Sequence, residues 1–142
     1  MLGFYAIRKL HDSFKLADAV AKQDVTCFTF RALDGRRANE MNWDRLGELY
    51  DLTAPTRRVR NLRAISNQFI HSAVFTIAQK PDRGFDGVFV ASDEEYRRRL
   101  SFVEALEIVR LFRSVGSNYP ESMRFEWDSR GVLANAHVGG TP

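Results

Sequence analysis

Apolar residues follow two kinds of spacing along this chain. Phe4, Ile7, Leu10, Phe14, Ala17 and Ala21 recur at three- and four-residue steps. This predicts an amphipathic helix over roughly residues 3–22. The period changes between Asp24 and Arg31, where Cys27 lies among Val25, Thr26, Phe28, Thr29 and Phe30. β-Branched and aromatic residues in such a run predict a strand. Asp34-Gly35 is a turn signal, and a weaker second strand over 36–41 would complete a hairpin. Asn42 suits an N-cap for a short helix from Trp43 to Asp51, with Leu46, Leu49 and Tyr50 on its inner side.

A long helix is expected next, capped by Thr53 or Thr56, with Pro55 in its first turn. It would run to about Gln79, with Val59, Leu62, Ile65, Phe69, Ile70, Ala73 and Ile77 on its apolar side. At 100° per residue, Arg60, Asn67 and His71 share the opposite side and Arg63 lies on the boundary. Lys80 to Gly84 breaks this helix, and Val88-Phe89-Val90 reads as a short strand. Ser92 and Glu95 have capping-box spacing. They predict a second long helix to Val115, ended by Gly116 and largely buried through Tyr96, Leu100, Val103 and Phe112. Met123–Trp127 and Gly131–Asn135 flank a turn, so a terminal hairpin is expected. The elements do not alternate as βαβ units, which leads to an α+β fold. The expectation is a single compact domain over 1–137, with about four helices packed on a small, mainly antiparallel sheet of four or five short strands. Residues 138–142 would form a flexible tail. Phe69 and Phe112 should meet in one core between the two long helices.

With 142 residues, 44% of them hydrophobic, the chain is long enough to bury such a core. A single cysteine, Cys27, rules out an internal disulfide and fits a reducing compartment. No apolar run approaches the ~18 residues of a membrane span, and the N-terminal residues lack the pattern of a secretory leader. The expectation is therefore a soluble, cytoplasmic protein without a membrane partner. Net charge is only +3, yet the basic residues are mostly Arg and cluster at Arg36-Arg37, Arg57-Arg58-Val59-Arg60 and Arg97-Arg98-Arg99. Such clusters attract an anionic partner by local potential.

Candidate chemistry is sparse. His11, His71, His137 and Cys27 do not form metal-ligand pairs, and there is neither a phosphate-binding glycine loop nor a nucleophile elbow. No cofactor and no metal is expected. Cys27, among aromatic neighbours, reads as a small buried hydrophobe. His71 is the candidate for proton transfer, since a histidine can exchange protons near neutral pH. Arg60 or Arg63 could hold a phosphate and Asn67 could orient either partner. Together they would suit metal-independent RNA cleavage by a 2′-hydroxyl. A His and an Asn on a helix side equally well bond a neighbouring segment.

A helix carrying Arg, Asn and His before an apolar end resembles the active helix of HEPN domains. Those are small helical proteins, many of them RNases and usually dimeric. The resemblance implies catalytic roles for His71, Arg63 and Asn67. In that family a polar residue follows the Arg; here Ala64 follows Arg63, and seven residues separate Arg63 from His71. Three functions stay open. The first is a non-enzymatic macromolecule-binding protein, of the inhibitor or regulator type found on mobile elements. It would use Arg57, Arg58, Arg60 and Arg63 against a protein with an acidic surface. The second is a HEPN-like RNase, which would be a homodimer. The third is a sequence-independent nucleic-acid binder.

Overall fold

A computed structural model describes residues 1–39 and 41–140. Among these the chain builds an α+β domain around a five-stranded sheet. The elements are α1 (Leu2–Asp12), α2 (Asp18–Ala21), β1 (Asp24–Arg31), α3 (Leu46–Leu49), β2 (Thr56–Asn61), α4 (Leu62–Ile70), β3 (Ser72–Gln79), β4 (Phe85–Ser92), β5 (Arg99–Glu104), α5 (Ala105–Ser117), β6 (Pro120–Trp127) and β7 (Leu133–Gly140). The large sheet has the order β2-β1-β5-β4-β3, with β6 and β7 in a separate hairpin. Every pairing is antiparallel. Among the described residues no helix is long and apolar enough to cross a membrane.

The strands alternate sides as the pleat requires. Val25, Cys27, Val88, Val90 and Val103 point to the face covered by helices, where Phe4, Ile7, Leu62, Ile65, Phe69 and Leu111 meet them. Phe30, Ala91, Leu100 and Val74 point to the other face, one end of which is sealed by Leu46, Leu49 and Tyr50. The Tyr50 hydroxyl donates to the Tyr96 carbonyl at 2.6 Å, and burial pushes its pKa up to about 12. Gly87 of β4 accommodates a close neighbour: a Cβ there would stand 2.4 Å from the Val103 carbonyl oxygen and 2.7 Å from the Phe102 ring.

The predicted segments differ from these elements at four places. The stripe expected to form one helix over 3–22 breaks after Asp12, because Phe14 adopts a left-handed φ of 57° that no helix continues. The helix expected to reach Gln79 is three elements. Thr56–Asn61 pairs with β1, only residues 62–70 are helical, and Ser72–Gln79, rich in β-branched and aromatic residues, pairs with β4. Ser92 and Glu95 close a turn, with Glu95 N donating to the Ser92 carbonyl at 3.0 Å, and a second turn follows in which Arg98 and Arg99 N donate to the Glu95 carbonyl. The chain then enters β5 before α5 begins. Finally, no strand forms over 36–41 among the described residues: 36–39 are irregular, Met41 begins a turn, and Glu40 lies outside them. The domain is thus richer in strands than the four or five expected, with seven in two sheets. Residues 138–140, assigned above to a tail, belong to β7, where Val138 is buried; Thr141 and Pro142 lie outside the described residues.

One polar staple holds α5 against β1. Below Phe28, β1 has no β5 partner, and Glu107 takes over by accepting the Thr26 N–H at 2.9 Å. Arg110 donates to both Glu107 oxygens, at 2.7 and 2.8 Å, and to the Asp24 carbonyl at 2.6 Å. Arg110 holds the Glu107 carboxyl below its ordinary value near 4.5, against the opposing effect of burial. A group whose folded pKa is depressed stabilises above its unfolded pKa and stops doing so as pH falls through the folded one. Glu107→Gln should therefore cost about 1–3 kcal/mol at neutral pH. Urea midpoints measured from pH 7 downward should show that gap to wild type closing below about 4.5.

Candidate functional site

The site residues singled out by sequence fall on β2 and α4, with His71 capping α4. Asn61 ends β2 and caps α4, its side chain accepting the Ala64 N–H at 2.8 Å. That one residue turns the chain out of the sheet, so Arg57, Arg58 and Arg60 lie on a strand and not on a helix side. Arg58 and Arg60 oppose Cys27 and Val25, which places them on the helix-covered face. Arg57 and Val59 take the other face.

Arg60, Asn67 and His71 do meet. They line an open groove of about 440 Å³, closed on its far side by the turn carrying Asp93, Glu94 and Glu95. His71 terminates α4, with its N–H donating to the Asn67 carbonyl and its own carbonyl accepting the Asp93 N–H at 2.9 Å. Its ring is exposed. Below it, the Gln68 amide oxygen accepts the Ser92 N–H at 3.0 Å and ties α4 to the end of β4. Arg63 is not in this groove. It lines a narrow slot between α1 and α4, beside Arg8, His11 and Ser66. The grouping of His71 with Arg63 is therefore replaced by His71 with Arg60.

The charges of the groove are committed to each other. Arg60 donates to both Glu95 oxygens at 3.1 and 3.2 Å, and Arg99 Nε stands 3.0 Å from the same carboxylate. Arg60 and Glu95 side chains are only 17% and 15% exposed. Asn67 gives its amide oxygen to Arg8 at 2.8 Å. The groove thus offers one neutralised guanidinium, with Asp93 and Glu94 exposed at its lip. That balance disfavours a phosphate and suits a neutral or cationic group. Cys27 lies in the core beneath and is 1% exposed. Burial pushes its thiol pKa up, in spite of Arg60 nearby, so it is not an activated nucleophile.

Sequence reasoning missed Glu95, Asp93 and Arg99. Ser92 and Glu95 read as a capping box; the helix it would open is absent, and Glu95 reaches across to Arg60 of β2. Among the described residues no three His, Cys, Asp or Glu side chains converge as metal ligands do.

The free basic residues lie one strand-step away. Arg57 and Arg58 are exposed, and no carboxylate lies within salt-bridge distance of them among the described residues. The Arg57 guanidinium makes a single 3.3 Å bond to the Thr26 hydroxyl. Because β2 is the sheet edge, backbone groups on its outer side lack a strand partner among the described residues.

Comparison with known proteins adds no relative: no family model matches the chain, and no curated protein and no solved structure matches it.

Proposed function

We propose that this domain is a non-enzymatic binding module that takes an acidic, extended segment of another protein along β2. What supports this reading is the β2 edge itself, where an unpaired backbone ladder coincides with two unneutralised arginines. An added strand would gain main-chain hydrogen bonds from the edge, and its alternate side chains would meet Arg58 on one face and Arg57 on the other. Edge strands left open in this way are templates for pairing, and charge selects which chain can use them. A phosphate backbone could use the same arginines, but it leaves the outward carbonyls of β2 without donors. A protein strand satisfies both halves of the ladder.

A second reading, an RNase of the HEPN-like kind, is favoured by one observation: exposed His71 shares a groove with Arg60 and Asn67. Against it stand the Glu95 and Arg8 contacts that occupy both partners. A single set of measurements separates the readings. A labelled peptide repeating Glu-Glu-Val-Val, which as a strand presents carboxylates on both faces, and a single-stranded RNA of equal length, are titrated with the protein over a salt series. The peptide should bind, more weakly as salt rises, and Arg57→Glu/Arg58→Glu should weaken it about tenfold or more. Preference for the RNA, uncleaved, would make the edge a nucleic-acid surface. Metal-free RNA cleavage that disappears in both His71→Ala and His71→Gln would make the groove an active site.

A further inference from the structure

Among the described residues the two sheets have four outer strand edges, and their side chains treat a second copy of the chain differently. Strand β7 carries no carboxylate and ends in two glycines, so it offers no charge pairs to fix a register. Strand β2 would set arginines against arginines. Strand β3 carries no charge over Ser72–Gln79 that could fix a register; its pairing with β4 shifts at Ser72/Val74 and Ala78/Gln79, as that of β6 with β7 does at Pro120/Ser122 and Glu126/Trp127. The fourth is the outer edge of β6. Among the described residues β6 pairs only with β7, and every side chain from Met123 to Trp127 is exposed.

A two-stranded hairpin is marginal in water unless its apolar face is covered. Here the cover is partial. Val138 at the base is buried, and Phe125 meets Phe14 edge-on at 5.4 Å between ring centroids. On either side of Phe125 the same face is open: Met123, toward the base, is 50% exposed and Trp127, toward the tip, 63%. The alternate positions are Arg124 and Glu126, a loose pair 3.6 Å apart and mostly solvated.

We infer that β6 is a homodimer edge, on which two copies pair antiparallel about a two-fold axis through Phe125. The side-chain order selects that register. Pairing centred on Phe125 sets Arg124 opposite Glu126 of the second copy, twice, and Met123 opposite its Trp127. Centring on Arg124 would oppose two arginines, and centring on Glu126 two glutamates. Any pairing shifted by a single residue would set apolar against polar positions. Opposite charges and aromatic contacts directly across an antiparallel pair are favourable, and like charges unfavourable. The product is a four-stranded sheet in which each Trp127 lies over the base of its neighbour's hairpin, and β2 of both copies stays open.

The test is sedimentation equilibrium of the full chain over a concentration series. Wild type should dimerise. Arg124→Glu should weaken the dimer about tenfold or more, since each of two symmetric pairs becomes a repulsion. Arg124→Glu/Glu126→Arg should restore it, because the exchange rebuilds both pairs. Ile77→Lys, on the exposed part of β3, should leave it unchanged. A wild type that stays monomeric at its highest soluble concentration overturns the inference. So does a dimer lost in Ile77→Lys and kept in Arg124→Glu, or one that the charge exchange fails to restore. Circular dichroism of each variant confirms that the hairpin and the sheet are intact.

Discussion

Phe69→Ala is expected to lower the unfolding free energy by about 3–5 kcal/mol, and Phe112→Ala by much less. Phe69 is 1% exposed, and its ring stacks on Phe4 at 3.8 Å between centroids. Phe75 closes it edge-on at 6.1 Å. Removing the ring would leave a cavity that α4 cannot collapse into, because Asn61 fixes one end of the helix and the Gln68 bond to Ser92 fixes the other. Phe112 belongs to the rim. It is 41% exposed, touches Phe4 at a tilt with centroids 5.2 Å apart, and lies on Gly3, where a Cβ would stand 2.5 Å from its ring. The expectation of one core joining Phe69 to Phe112 therefore holds only through Phe4. Urea unfolding of both variants measures the contrast, and equal losses would mean that Phe112 is packed inside.

Glu95→Ala should cost about 3 kcal/mol or more. The carboxylate stands between two guanidiniums and is itself only 15% exposed, and its loss leaves Arg60 and Arg99 facing each other without compensation. The penalty belongs to the orphaned cations more than to the pair itself, so Arg60→Met/Glu95→Met should recover part of it. A double-mutant cycle on urea midpoints gives the coupling. Midpoints that add without interaction would show Glu95 to be solvated and the cluster to be incidental.

Strand β1, the terminal hairpin, the short turn of helix at Leu46–Leu49 and the α+β class were legible in the sequence. Each combines a clear period with its own punctuation: Asp24 opening the strand, Gly131 with its φ of 75° in the hairpin turn. The stretch from Thr56 to Gln79 was not legible. Leu62, Ile65 and Phe69 are a true helical stripe, and Val59, Ala73 and Ile77 extend it by coincidence of spacing. Helical period in the middle of a run hid two strands whose pairing partners lie far away in the chain. The site suffered the same error. Arg60, Asn67 and His71 were grouped by the angle of a helix that spans only part of them, yet they share a groove because Arg60 reaches in from the strand. Glu95, the residue that decides the charge of that groove, was hidden by a capping motif that does close a turn but starts no helix.

The order β2-β1-β5-β4-β3 also shapes how the chain must find its fold. Strands β3, β4 and β5 follow one another and can zip locally, whereas β1 waits for β5, with Phe28 paired to Phe102. That single seam joins the two halves of the sheet, and its loop-closure entropy has to be met before its contacts repay it. Until it closes, β1 and β5 are themselves open apolar edges. The time spent there, more than the depth of the native minimum, sets how exposed the chain is to misassembly.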